Sequence, residues 1–133
     1  MHLPGESPIE LCDLLTQDGS LIHVKRRAGA RELSHLFAQG AVSALALNSL
    51  PALRSAAQAE VDRICGNNAY PLFEPGPFDP RSLQVAFVLL DDVKGRTRRE
   101  ALPFFSRLNL RRSAQEIRDR GYRLAYCRIE VGD

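Results

Sequence analysis

Asp13, nine intervening residues and then His23-Val24-Lys25 are the residues of this chain whose types and spacing best fit chemistry. The segment runs Ile9-Glu10-Leu11-Cys12-Asp13-Leu14-Leu15, turns around Asp18-Gly19, and returns as Leu21-Ile22-His23-Val24-Lys25. An acid on one strand and a lysine two residues after a polar side chain on the next is the layout of a metal-dependent phosphodiester-cleaving site. In that chemistry Asp13 binds a divalent cation, magnesium or manganese, and the metal polarises a phosphoryl oxygen and acidifies a bound water. Lys25 orients that water and stabilises developing charge. One member is out of type. Such a site wants a carboxylate where His23 stands, and magnesium prefers oxygen ligands. His23 then serves as a ligand to a softer ion such as manganese, or as a general base. Glu10 supplies the missing acid only across a bulge, because regular alternation puts it on the face opposite Asp13.

The elements that position these residues follow from pattern. Residues 8–15 read as a strand, with Ile9, Leu11, Asp13 and Leu15 on one face and Glu10, Cys12 and Leu14 on the other. Asp18-Gly19 is a hairpin signal. Register decides the site. A two-residue loop puts Asp13 opposite Val24, with His23 and Lys25 facing away. A three- or five-residue loop, with Gly19 left-handed, puts Asp13 beside His23 and Lys25. Arg26 to Arg31 reads as a loop. A helix over 31–47 follows, with Leu33, Leu36, Phe37, Gly40, Ala44 and Leu47 in one stripe. A second helix starts at Pro51 and is stopped by Gly66 after Cys65, with Leu53, Ala57, Val61 and Ile64 inward.

Residues 67–81, rich in proline, asparagine and glycine, form a stiff surface connection within one domain. Leu83 to Leu90 is almost continuously apolar, the pattern of a strand buried on both faces. Leu102-Pro103-Phe104-Phe105 reads as a turn anchored on the core. Asn109 reads as the cap of a helix over 110–120, ended by Gly121. Residues 122–131 close the sheet. The expected fold is α/β: a mixed central sheet flanked by helices in a single domain over 1–133, with 1–7 a loose lead-in.

Composition bounds the function. The chain has 133 residues, 44% hydrophobic and 26% charged, with a net charge of +2. That is an ordinary globular domain without a strongly basic tail. Cys12, Cys65 and Cys127 have neither CxxC nor zinc spacing, and buried reduced thiols are the expected state of the two in strands. The first residues lack the apolar core of a signal peptide, so a cytoplasmic protein is expected.

Two resemblances enter on these residues. IELCDLLTQDGSLIHVKRRAG, LSHLFAQGAVSA, LPFFSRLNLRRSA and GYRLAYCRI resemble the carboxy-terminal part of a sporadically distributed bacterial and phage protein family whose members are several times longer. That implies an isolated domain, a split subunit or a truncated gene. Asp13, Lys25, their strand placement and the following helix resemble the PD-(D/E)XK nuclease superfamily. This second resemblance implies a restriction-endonuclease-like core lacking its first helix and strand, with Asp13, His23 and Lys25 as catalytic residues and Asp13 and His23 as metal ligands. Gln39 matches a glutamine that some members carry on that helix.

The expected function is therefore a nuclease-like domain acting on nucleic acid, in phage defence or a mobile element. The alternative is a catalytically inactive module of the same fold, for nucleic-acid binding or protein assembly. Arg26, Arg27 and Gln39 are the expected nucleic-acid contacts. An uncovered apolar face or edge implies a homodimer, or a separate chain that supplies the missing elements, with Leu102, Phe104 and Phe105 as contact residues.

Each reading has a bland counterpart. Asp13 is equally a carboxylate held by Lys25 or by backbone donors beside a turn. For His23 alone the structural reading is favoured over the functional one. His35 reads as a partly buried or capping neighbour on the helix, and Ser34 and Gln39 as solvated helix residues unless that face meets the hairpin. Arg96, Arg98, Arg99, Arg107, Arg111 and Arg112 read as a solvated surface, since acids intersperse them.

Overall fold

The computed structural model describes residues 10–26, 30–74, 76–92 and 104–131. Its elements are β1 (Leu14–Leu15), β2 (Ser20–Arg26), α1 (Ala30–Ser49), α2 (Pro51–Cys65), β3 (Gln84–Asp92), α3 (Phe104–Asp119) and β4 (Arg123–Val131), with a 3-10 turn at Pro80–Ser82. The sheet order is β1-β2-β3-β4. β1 and β2 are antiparallel, while β2–β3 and β3–β4 are parallel. Parallel neighbours need a crossover, and the crossovers here carry α1 with α2, and α3. The mixed α/β sheet expected from the pattern is thus the observed fold.

α1 forms because its apolar stripe recurs at helical spacing, and all six expected stripe residues are buried. Gly40 lets the helix sit on the sheet: a Cβ there would lie 2.5 Å from Cε1 and Cζ of Phe87. Pro51 opens α2, and Gly66, with φ 102°, ends it. Ile64 does not point inward as expected but is 67% exposed. The 67–81 connection is held from α2 by the buried Gln58. Its Nε2 donates to the Tyr70 carbonyl at 3.0 Å, and its Oε1 accepts from Phe73 N at 2.9 Å. Tyr122 is buried at the base of the sheet, its hydroxyl 2.8 Å from both Ala44 O and Asn48 Oδ1.

Several expectations are corrected. The first strand is only two residues long, with Glu10 as an isolated bridge, and neighbours Leu11 and Cys12 are both buried, so strict alternation fails there. β3 is buried on one face only. Val85, Phe87 and Leu89 lie under the helices, whereas Ala86, Val88 and Leu90 are half-buried. In the same row across the sheet, Ile22, Val24 and Ala125 are half-buried and Cys127 and Ile129 exposed. A continuous apolar run therefore marked one covered face and one open face. Cys127 is accordingly not a buried thiol; Cys65 and Cys127 are exposed, and only Cys12 is buried. α3 begins at Phe104, well before Asn109, so Phe104 and Phe105, expected in an anchored turn, lie in the first turn of a helix, while Leu102 and Pro103 lie outside the described residues. Phe104 and Phe105 are 64% and 69% exposed and pack on each other. Asn109 lies inside the helix, where its Nδ2 donates to Ser34 Oγ and ties α3 to α1. Among the described residues no single helix is long and apolar enough to cross a membrane.

Candidate functional site

The turn that joins β1 to β2 sets the geometry of the candidate residues. Thr16 N–H donates to the Ser20 carbonyl at 3.0 Å, and Gly19 N–H to the Thr16 carbonyl at 3.1 Å. The loop is thus the three residues Gln17-Asp18-Gly19, with Gly19 left-handed at φ 91°. Leu15 faces Leu21 and Leu14 faces Ile22. Asp13 N–H also donates to the Ile22 carbonyl, at 2.9 Å, so Asp13 and Leu14 share one partner. That is a bulge.

The bulge determines what Asp13 does. Its Oδ2 accepts from Val24 N–H at 2.7 Å. The carboxylate therefore fills a ladder position at the sheet edge, between the backbone of His23 and that of Lys25. Backbone donors hold it, and among the described residues no ion pair joins it to Lys25. Replacing Asp13 by alanine orphans Val24 N–H and should cost about 1 kcal/mol. An asparagine at this position would keep an acceptor, so Asp13→Asn should cost clearly less. Urea denaturation of the two variants compares them.

His23 goes the other way. It is 4% exposed, its ring centroid 5.7 Å from that of Phe87 on the helix-covered face. Its Nε2 is buried without a hydrogen-bond partner among the described residues. Burial pushes its pKa down to about 4, and the opposing attraction of Asp13 is the smaller effect. The imidazole is neutral at pH 7. Lys25 and Arg26 are exposed at the end of β2. Gln39 and His35 are exposed on α1. Arg27 lies outside the described residues, as do Arg96, Arg98, Arg99 and Leu102. Glu10 is half-buried, and its carbonyl accepts from Ser43 Oγ at 3.2 Å.

The structure thus brings Asp13 to the backbone between His23 and Lys25, which share one face of β2, with His23 buried in the core and Lys25 exposed at the strand end. Among the described residues no three His, Cys, Asp or Glu side chains gather as a metal-binding group. Beside Asp13, a mostly apolar groove of about 230 Å³ runs between the hairpin and the end of α2, lined by Leu14, Leu15, Val61, Ile64 and Leu72. Sequence reasoning missed it because the outward turn of Ile64 leaves no periodic signal.

A family model described as a family of unknown function (DUF6119) matches residues 2–130. The chain belongs to that family. No curated protein and no solved structure matches it.

Proposed function

We propose that this chain is a nucleic-acid-binding module built on a nuclease-type core that does not itself assemble the cleavage chemistry at the Asp13–Lys25 hairpin. The core reading is supported by element order. An acid-bearing strand and an x-Lys strand form a hairpin, and a helical crossover then leads to a parallel neighbour of the x-Lys strand. This is the order of a PD-(D/E)XK core from its second strand onward.

The observation that carries the loss of chemistry is the position of His23. It stands where the second acid belongs, yet it is sealed under α1 against Phe87. There it is a poor partner for Asp13 in holding a divalent cation. Asp13 has already committed one oxygen to Val24 N–H. A single edge carboxylate with one oxygen free is a weak site for magnesium or manganese, which want several oxygen ligands. Lys25 and Arg26 remain as exposed cations suited to phosphate contact.

Plasmid DNA and RNA incubated with magnesium or manganese test this. The expected result is no cleavage above the chelator control, with salt-sensitive binding of the same nucleic acids. Divalent-dependent cleavage that falls about 100-fold or more in both Asp13→Asn and Lys25→Ala, with folding unchanged, would reinstate the nuclease reading.

A further inference from the structure

Three of the four arginines of α3 are mixed with acids in sequence but sorted from them in space, while Arg112 lies on the side of Glu116 and Asp119. At about 100° per residue, Arg107, Arg111 and Arg118 fall within an arc of about 40°. Glu116 lies about 160° and Asp119 about 100° from the middle of that arc. Asp119 is also occupied, accepting from Gln115 Nε2 at 2.7 Å. The three arginines are exposed, and no ion pair involves them among the described residues.

The direction of this row follows from its neighbours on the helix. Asn109, bonded to Ser34, marks the flank of α3 that meets α1. Leu110, Ser113, Ala114 and Ile117 mark the face turned to the core. The arginine row lies on the remaining flank, beyond Ala114. α1 lies over β2 and β3 and α3 over β4, so that flank overhangs β4, the last strand of the sheet. By register with Val85, Phe87, Leu89 and Asp91, the residues of β4 on the helix side are Leu124, Tyr126, Arg128 and, at the far end of the strand, Glu130. Tyr126 is 38% exposed. The margin of the sheet thus carries three exposed arginines, in no ion pair among the described residues, on the side of the sheet where Tyr126 is partly exposed.

We propose that this margin, Arg107, Arg111 and Arg118 over Tyr126, binds single-stranded nucleic acid. The proposal rests on the nucleic-acid reading above and places the contact away from the hairpin. The row spans about 16 Å at 1.5 Å per residue. Arginines neutralise phosphates, and an aromatic ring gives a base a stacking platform, the pairing of features that single-strand binding uses. Polyanions without bases match the charge but not the ring.

Fluorescence anisotropy with a short labelled oligothymidylate, a duplex of equal length and polyglutamate is the test. The wild-type chain should bind the oligothymidylate in preference to polyglutamate. The triple variant Arg107→Ala/Arg111→Ala/Arg118→Ala should weaken low-salt binding roughly tenfold or more, and reduce the slope of log K against log salt by about 2. The triple lysine variant should keep that slope. Tyr126→Ala should weaken the single strand by about fivefold or more and leave the duplex unchanged. Circular dichroism melting checks that the variants fold. Wild-type binding with an unchanged slope in the triple alanine variant overturns this surface alone, and loss through Lys25→Ala/Arg26→Ala would then place the contact at the hairpin. Equal binding of polyglutamate, or a duplex equally weakened by Tyr126→Ala, also overturns it. A wild-type chain that binds no nucleic acid overturns both this surface and the function it rests on.

Discussion

Phe87→Ala should lower the unfolding free energy by about 3–5 kcal/mol, the largest effect expected of a single substitution here. Phe87 is fully buried in β3, where the sheet meets α1. Its ring meets Phe37 edge-on at 5.3 Å and His23 at 5.7 Å. Truncation removes both ring contacts and opens a cavity between layers that the parallel ladders hold in place. Gly40 gives the same contact from the other side. Gly40→Ala would favour an isolated helix by about 1 kcal/mol. Here, though, the new methyl must displace the Phe87 ring, and overpacking of this kind costs about 1–3 kcal/mol. Net destabilisation is expected, with partial rescue by Phe87→Leu. Urea denaturation of the two single variants and the double variant reads the coupling; strictly additive effects would show that the ring is not what Gly40 accommodates.

The second large effect is on pH dependence, and it belongs to His23. In the unfolded chain the imidazole titrates near 6.5, and in the fold burial holds it down to about 4. Above pH 6.5 both states are neutral and the fold has its full stability. As pH falls below 6.5 the unfolded chain takes up the proton first, so stability drops until the folded pKa is reached. A difference of this size corresponds to about 3 kcal/mol across the window. His23→Leu should flatten the stability profile between pH 6.5 and 4.5 and, by removing an unpartnered buried nitrogen, leave stability at pH 7 equal or higher. Asp13→Asn should steepen it, since the Asp13 charge raises the His23 pKa. Denaturant midpoints at closely spaced pH values check this; a wild-type profile as flat as that of His23→Leu would refute the buried neutral imidazole.

What was legible in the sequence was what periodicity and punctuation encode. The α1 stripe and the Pro51 start and Gly66 stop of α2 follow from side-chain spacing or from glycine and proline geometry. Asp18-Gly19 marks the turn, but its length of three residues comes from the backbone hydrogen bonds and not from the sequence, which fits two, three or five. Burial depends on what covers a residue, and that is tertiary information. LQVAFVLL looks the same whether one face or two are covered, and only the placement of α1 and α3 on a single side separates the cases. Asn109 has the chemistry of a cap, but a partner on α1 made it useful within a helix. The bulge at Asp13 is a one-residue event that no pattern announces, yet it turns a projecting carboxylate into a rung of the ladder. Three of the α3 arginines were obscured for a related reason: order along the chain mixes charges that rotation about the helix separates.

The hairpin turn has one more consequence, which concerns the order in which the chain acquires its shape. The Gly19 carbonyl accepts from Gln84 N at 2.9 Å, and a Cβ on Gly19 would press within 2.9 Å of Leu83. The turn is thus the socket into which the start of β3 fits, although Ser20 and Gln84 are 64 residues apart. Closing so distant a contact is slow, while β3, α3 and β4 are nearer neighbours in the chain. The β3–α3–β4 unit is expected to form first and the hairpin, carrying α1 and α2, to dock onto it last. The segment that holds Asp13, His23 and Lys25 would then be the last part of the molecule to become native and the first to let go.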